Sequence, residues 1–176
     1  APQQYFWPPA AVDHLYQEVT MPNPVNSNPD FSANSPDFLQ QSLGRERWHW
    51  RYDTAEKFQR MMKGLYRMVS GVDLAIGRIR KEINRLGLGD NTIIIFMSDH
   101  GMFYGERGLS DCWLLYEDPI RVPRIIFDPR LEGTVRRGTT IEQMALNLDI
   151  APTILELVSL DIPPEMQGCS VAPLLA

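Results

Sequence analysis

Only two cysteines, Cys112 and Cys169, occur in 176 residues. That is too few for a disulfide scaffold, and although their parity leaves one bond open it assigns no redox compartment. Positive charge is also short. Seventeen Lys and Arg stand against twenty-two Asp and Glu, for a formal net charge of −5, whereas a nucleic-acid partner calls for clustered positive charge. Basic residues do gather locally, in GRERWHWRY and VRRG. No apolar run approaches the roughly 20 residues of a membrane span. No signal-peptide pattern or initiator Met opens the chain, so any targeting segment is expected to be absent or already removed. Internal repeats and low-complexity tracts are missing too. What remains is an ordinary globular composition, 44% hydrophobic and 22% charged, in a chain long enough for one domain with a sizeable core.

Seven of the fourteen prolines fall before Asp53, mixed with Asn, Ser and short aromatic patches, and this composition predicts an extended loop. Such a long loop is functional, disordered, or wrapped over protein supplied elsewhere. From Asp53 or Thr54, either a good N-cap, apolar residues recur at three-to-four spacing from Phe58 through Met61, Leu65, Val72, Ile79 and Ile83 to Leu86. The spacing predicts one long amphipathic helix that stops at the glycines of LGLGDN. Gly64, Gly71 and Gly77 inside it each cost about 1 kcal/mol relative to Ala, and read as close packing against a sheet or as mild kinks. TIIIFM is a short β-branched run without polar alternation, the pattern of a strand covered on both faces. RVPRIIFD reads as a second strand and QMALNLD, alternating weakly, as a third. Asp149 then caps a helix from Ile150 to about Val158, with Pro152 in its first turn. Helix, glycine turn and buried strand in that order indicate an α/β layered fold.

Chemistry concentrates where the TIIIFM strand ends, in SDHGMFYGERG. Ligands of open α/β sheets bind beyond the carboxyl ends of strands, and Asp99 and His100 stand there, with Gly101 to permit a bend. A carboxylate and an imidazole supply half of a divalent-metal site. The alternative is Asp99 capping the next turn and His100 at the surface.

The stretch GVDLAIGRIRKEINRLGLGDNTIIIFMSDHGMFYGERGLSDCWLLYEDPIRVPRIIFDPR closely resembles the latter part of the catalytic domain of type I sulfatases, within the alkaline phosphatase superfamily. The shared pattern is a helix ending in a GL.DNT turn, a strand, SDHG, GERGL, YE and RVP. LDIAPTILELVSLDIPPEMQGCSVAPLL resembles the segment that follows, so the likeness runs from roughly Phe58 to Leu175. The resemblance implies an α/β fragment of an alkaline phosphatase-like layered sheet with flanking helices. Residues 1–53 are then a Pro-rich loop segment, and 54–176 the second half of the catalytic domain. In that family the Asp and the following His, Asn or Gln of SDHG are calcium ligands, which implies Asp99 and His100 as ligands of a Ca2+ site incomplete in this chain. Family members also use a formylglycine made from the Cys or Ser of a C-x-P-x-R motif near the chain start. Cys112 is followed by WLLY and Cys169 by SVAP, so the nucleophile is expected only in a missing N-terminal part.

The implied function is part of a sulfuric ester hydrolase acting on a sulfated carbohydrate or small sulfate ester, inactive as this chain alone. The implied partners are that substrate and the missing N-terminal half of the same protein, with no nucleic acid and no membrane span. A periplasmic or secreted location fits the family. Two rivals stand: a phosphatase or phosphonate monoester hydrolase of the same superfamily, and a non-catalytic module that binds anionic polysaccharide.

Arg107 takes the position where many family members have His. It faces sulfate or sugar, or it pairs with Glu106 or Glu117. Cys112 stands where the family commonly carries a sulfate-contacting Lys, and a thiol supplies no fixed positive charge. In RERWHWRYD, Trp48, Trp50 and Tyr52 interleave with arginines, which suits stacking on an anionic sugar. The competing reading buries both tryptophans and leaves the arginines in water. Asp73 reads as a helix polar residue with a structural partner, and nothing favours His14 as a ligand.

Overall fold

The computed structural model describes residues 6–131 and 138–175. The expectation of a loop over the first 53 residues is corrected in part, because this segment forms helices α1 (Pro29–Ala33), α2 (Asp37–Gln40) and α3 (Leu43–Arg51). The prolines do not prevent them, since they sit where a helix starts: Pro29 is the first residue of α1 and Pro36 the N-cap of α2. A proline there removes no helical hydrogen bond. Ser42 begins α3 by accepting the Arg45 N–H at 3.2 Å.

The long helix α4 spans Ala55–Arg85. Thr54 caps it by accepting the Lys57 N–H at 3.2 Å, while Asp53, the other candidate cap, pairs with the Lys57 ammonium at 2.7 Å. Its buried residues, Phe58 and Met61, join Met21 and Tyr52 in the core, with Phe6, Trp48 and Tyr104 packed alongside. Gln59 fastens the N-terminal segment to this core, accepting the Met21 N–H at 2.8 Å and donating to the Met21 carbonyl at 2.7 Å. The helix glycines face that same segment rather than a sheet. A Cβ on Gly64 would lie 3.2 Å from the Phe6 Cβ and one on Gly71 2.9 Å from the Pro9 ring, while one on Gly77 would meet nothing. Farther along α4, Val69, Val72, Ile79 and Leu86 at its end are exposed.

After α4 come strands β1 (Ile94–Met97), β2 (Phe103–Tyr104) and β3 (Ser110–Asp111), helix α5 (Glu117–Ile120), strand β4 (Arg124–Phe127) and helix α6 (Ile150–Leu157). β1 and β4 run antiparallel, with Ile94 opposite Phe127 and Met97 opposite Arg124. β2 and β3 form a second antiparallel pair with Phe103 opposite Asp111. The RVPRIIFD strand is therefore present as β4. Two other expectations are corrected. β1 is half-buried at all four residues instead of covered on both faces, with β4 its partner among the described residues. QMALNLD makes no strand: its end is the 3-10 turn Asn147–Asp149 leading into α6. Asp149 likewise does not cap α6 with its side chain. Its carboxylate turns back to accept the N–H groups of Leu146 at 2.6 Å and Cys169 at 2.8 Å, and these bonds hold its carboxyl below the usual carboxylate range. Most of the VRRG cluster lies outside the described residues.

The tie between α3 and the β2–β3 hairpin is ionic. Asp111 accepts from Arg47 at 2.7 Å and from Arg51 at 2.8 Å. Arg51 also donates to the Ser110 hydroxyl at 2.8 Å, and Arg45 donates to the Gly108 carbonyl at 2.9 Å. Arg51 and Asp111 are both buried, and Asp111 has φ +72°, a left-handed conformation that costs a residue with a Cβ. Asp111→Asn keeps the shape and tolerates that φ but removes the charge shared by two guanidinium groups. Losing one partner of a buried pair typically costs about 3–5 kcal/mol. A loss of that size is expected in urea unfolding of the variant, and a loss below about 1 kcal/mol would contradict the tie.

Candidate metal centre

Where β1 ends, the chain turns through residues 98–101. The Asp99 carboxylate accepts the His100 N–H at 2.9 Å, and that bond is the main reason its carboxyl lies below the usual range; Asp99 is therefore an anion at neutral pH. The Ser98 hydroxyl donates to the His100 carbonyl at 2.9 Å. On the ring, Nδ1 lies 2.9 Å from the Gly101 carbonyl oxygen. A carbonyl can only accept, so Nδ1 carries the hydrogen and the neutral imidazole keeps its lone pair on Nε2. Nε2 in turn lies 3.9 Å from Asp99 Oδ2 and 3.8 Å from the Cys112 sulfur.

Asp99 and His100 thus converge, as expected of two ligands. Oxygen and nitrogen 3.9 Å apart can both reach one cation at the roughly 2.3–2.6 Å of calcium contacts. The donor set fits a divalent cation in kind and not in number. Among the described residues no group of three or more His, Cys, Asp or Glu side chains is placed to hold a metal. Nor are the two donors enclosed. The Asp99 side chain is 87% and the His100 side chain 51% exposed. A cleft of about 690 Å³ lies elsewhere, lined by Asn91, Ile95, Asp128, Arg130, Ile154 and Val158 among others.

The reason for Gly101 is close approach. Its φ is outside the left-handed region, but a Cβ there would sit 2.2 Å from the Asp118 carbonyl oxygen. Its N–H donates to the Pro119 carbonyl at 2.7 Å, so α5 lies directly against the turn.

Arg107 sits on the loop between β2 and β3 with φ +55°, its N–H donating to the Asn26 carbonyl at 3.0 Å. Its guanidinium lies over Tyr116 at 5.0 Å and Phe31 at 5.8 Å. Among the described residues it forms no ion pair with Glu106 or Glu117, and its buried Nε has no hydrogen-bond partner. It makes no hydrogen bond to Asp99 or His100 either. The Glu106 carboxylate accepts the Tyr104 N–H, and burial pushes its carboxyl above the usual range.

The aromatic and basic stretch follows neither reading in full. Trp48 and Trp50 are half-buried. Arg45 stacks over Trp48 at 4.1 Å and Arg47 over Trp113 at 4.5 Å, while Arg51 is only 5% exposed instead of in water. His14 and Asp73 are exposed.

Two features of the turn escaped sequence reasoning. One is the approach of Cys112 to His100, across twelve residues. The other is Asn147, whose amide donates to the carbonyls of Ser98 at 3.2 Å and Asp99 at 3.0 Å. QMALNLD carried no signal for it beyond the polar residue in its alternation.

The sulfatase family model matches residues 15–160. An N-acetylglucosamine-6-O-sulfatase of Bacteroides thetaiotaomicron is 37% identical over 119 residues, which cover 68% of this chain and 21% of that protein. Among solved structures, a protein in complex with its substrate D-glucosamine-2-N,6-O-disulfate superposes with a TM-score of 0.77 at 24% identity, over 99% of this chain and 46% of the other. A phosphonate monoester hydrolase from Silicibacter pomeroyi does so with a TM-score of 0.79 at 25% identity, over 95% and 34%. The folds agree, and the alkaline phosphatase-like α/β architecture expected from the sequence is present as a fragment. The chain spans about a fifth of the length of the curated relative and less than half of either solved neighbour.

The packing of α5 on the turn is open to test. Gly101→Ala should force the turn and α5 apart and lower stability by roughly 1–3 kcal/mol, the usual cost of overpacking. An unchanged melting temperature would show that α5 yields freely.

Proposed function

Since the chain belongs to the sulfatase family, we propose that it forms part of a sulfuric ester hydrolase acting on a sulfated carbohydrate or small sulfate ester. In this reading Asp99 and His100 contribute two ligands to a calcium site whose other ligands lie outside this chain. Arg107 supplies a positive charge toward the ester. The observation that carries the reading is the pair of lone-pair donors, Oδ2 and Nε2, 3.9 Å apart at the end of β1, inside the stretch that the family model matches. Calcium would there serve as a Lewis acid that draws charge from the ester oxygens. The absence of an ion pair at Arg107 supports its part, because an unneutralised guanidinium is free to meet an anion.

A second reading, phosphonate monoester hydrolysis, is favoured by the Silicibacter pomeroyi neighbour. It uses the same turn and differs in the nucleophile. Neither cysteine here lies in a C-x-P-x-R sequence, so this polypeptide by itself should turn over neither 4-nitrophenyl sulfate nor phenylphosphonate esters. Turnover by the purified chain above a blank, with contaminating enzyme excluded, would overthrow the proposed division of labour. In a longer polypeptide that carries this segment, Asp99→Ala should lower calcium occupancy and sulfatase turnover together by at least about a hundredfold, since even groups that merely support metal ligands are worth roughly 10–100-fold. Turnover that survives the change intact removes Asp99 from the site, and turnover confined to phosphonate esters selects the second reading.

A further inference from the structure

The metal turn is gripped from outside its own loop. Asn147 Nδ2 donates to the carbonyl oxygens of Ser98 at 3.2 Å and of Asp99 at 3.0 Å. Those two carbonyls belong to the two peptide planes that flank the Asp99 Cα. Each plane is rigid, so holding both oxygens from one nitrogen sets φ and ψ of Asp99 and with them the direction of its Cα–Cβ bond. The amide is itself oriented. Its oxygen accepts from Arg124 Nη2 at 3.4 Å, and the same nitrogen donates to the Leu146 carbonyl. Arg124 stands opposite Met97, the last residue of β1, in the β1–β4 register. The far side of the 3-10 turn is pinned by Asp149, which accepts the N–H groups of Leu146 and Cys169. Asn147 is exposed, so it adds little to core packing, and its specific consequence is the conformation of the turn.

We propose that Asn147, oriented by Arg124, is a positioning residue for the metal ligand Asp99. Its amide fixes the backbone on both sides of Asp99 and so aims the carboxylate toward the point that His100 Nε2 also faces. The proposal rests on the reading of Asp99 as a metal ligand.

The test uses the whole 176-residue chain and three variants at this position: Asn147→Asp, which has the same shape without the donor; Asn147→Ala; and Asn147→Gln, which keeps the amide on a longer arm. Asp99→Asn serves as the ligand control. Hydrogen exchange of the His100 amide, which is bonded to the Asp99 carboxylate, reads the turn without any metal. Luminescence titration with Tb3+, a calcium substitute, reads the donors. In Asn147→Asp and Asn147→Ala, His100 exchange should rise about tenfold and Tb3+ binding weaken about tenfold or more, the usual effect of losing a group that orients a metal ligand. Exchange in α6 and the melting temperature should stay near their original values, and Asn147→Gln should recover part of the Tb3+ affinity.

Unchanged His100 exchange in Asn147→Asp and Asn147→Ala overturns the proposal. So does Tb3+ affinity that is insensitive to Asn147 while Asp99→Asn abolishes it, and so does a general rise in exchange with a matching fall in melting temperature, which marks a merely structural role. Tb3+ binding indifferent to Asp99→Asn, or no saturable binding at all, sinks the metal reading and with it the purpose assigned to Asn147. His100 exchange in that case still decides whether Asn147 holds the turn.

Discussion

The Asp111 carboxylate between Arg47 and Arg51 is the joint on which the arrangement of this chain depends. It lies in a buried place, where an unpaired charge is far more costly than a paired one, so α3 and the hairpin are held together or not at all. The hairpin accepts an unfavourable backbone at Asp111 to present its carboxylate there. Arg45 adds a bond to the Gly108 carbonyl, so three arginines of one helix grip three residues of one hairpin. The loop that carries Arg107 lies between those strands, and Cys112, next after the joint, reaches His100. The Pro-rich first third thereby shapes the site from a distance, because its helix α3 sets where the hairpin beside the metal turn can lie.

How much of this was legible follows from how far apart the interacting residues are. The three-to-four spacing from Phe58 to Leu86 needs only neighbours on one helix face, and α4 runs as read. The β-branched run TIIIFM and the strand in RVPRIIFD were also readable locally. GRERWHWRY showed three arginines among aromatics but not their counter-ion, since Asp111 lies 60 residues past Arg51 and a spacing argument has no purchase at that distance. Surface recognition and an internal tie then look alike in sequence. QMALNLD failed for a different reason: a few alternating residues fit a strand and an extended approach to a turn equally well, and Asp149 settles the matter by bonding to Leu146 and Cys169 instead of to its own helix.

The pair Asp99 and His100 was readable as a candidate because the chemistry is in adjacent residues. Its precision is not, because three distant parts of the chain supply it. α5 accepts the Gly101 N–H through the Pro119 carbonyl, Asn147 holds the carbonyls on either side of Asp99, and the hairpin brings Cys112 to the ring of His100. Gly101 illustrates the gap between the two levels. The sequence suggested a residue that bends, whereas the structure needs one that leaves room for the Asp118 carbonyl; both arguments ask for glycine, and only the second names a neighbour.

Charge explains why such a turn requires a cation before it can meet an anionic ester. Asp99 contributes a full negative charge, and His100, with its hydrogen on Nδ1, contributes none. Cys112, at the position where the resemblance places a lysine, has no fixed positive charge to offset Asp99. Arg107 is the remaining cation of the proposed set. Its contacts with Tyr116 and Phe31 orient it without neutralising it, since an aromatic face carries only a quadrupole. One guanidinium against one carboxylate leaves the set near zero, which attracts no anion. A divalent ion seated on Asp99 and His100 turns that balance positive, because a bound cation is the largest local charge in its site. The direction of the Asp99 side chain then matters beyond ligand geometry. A carboxylate aimed at the cation is spent on it, whereas one that swings free stands as a negative charge in the path of the ester.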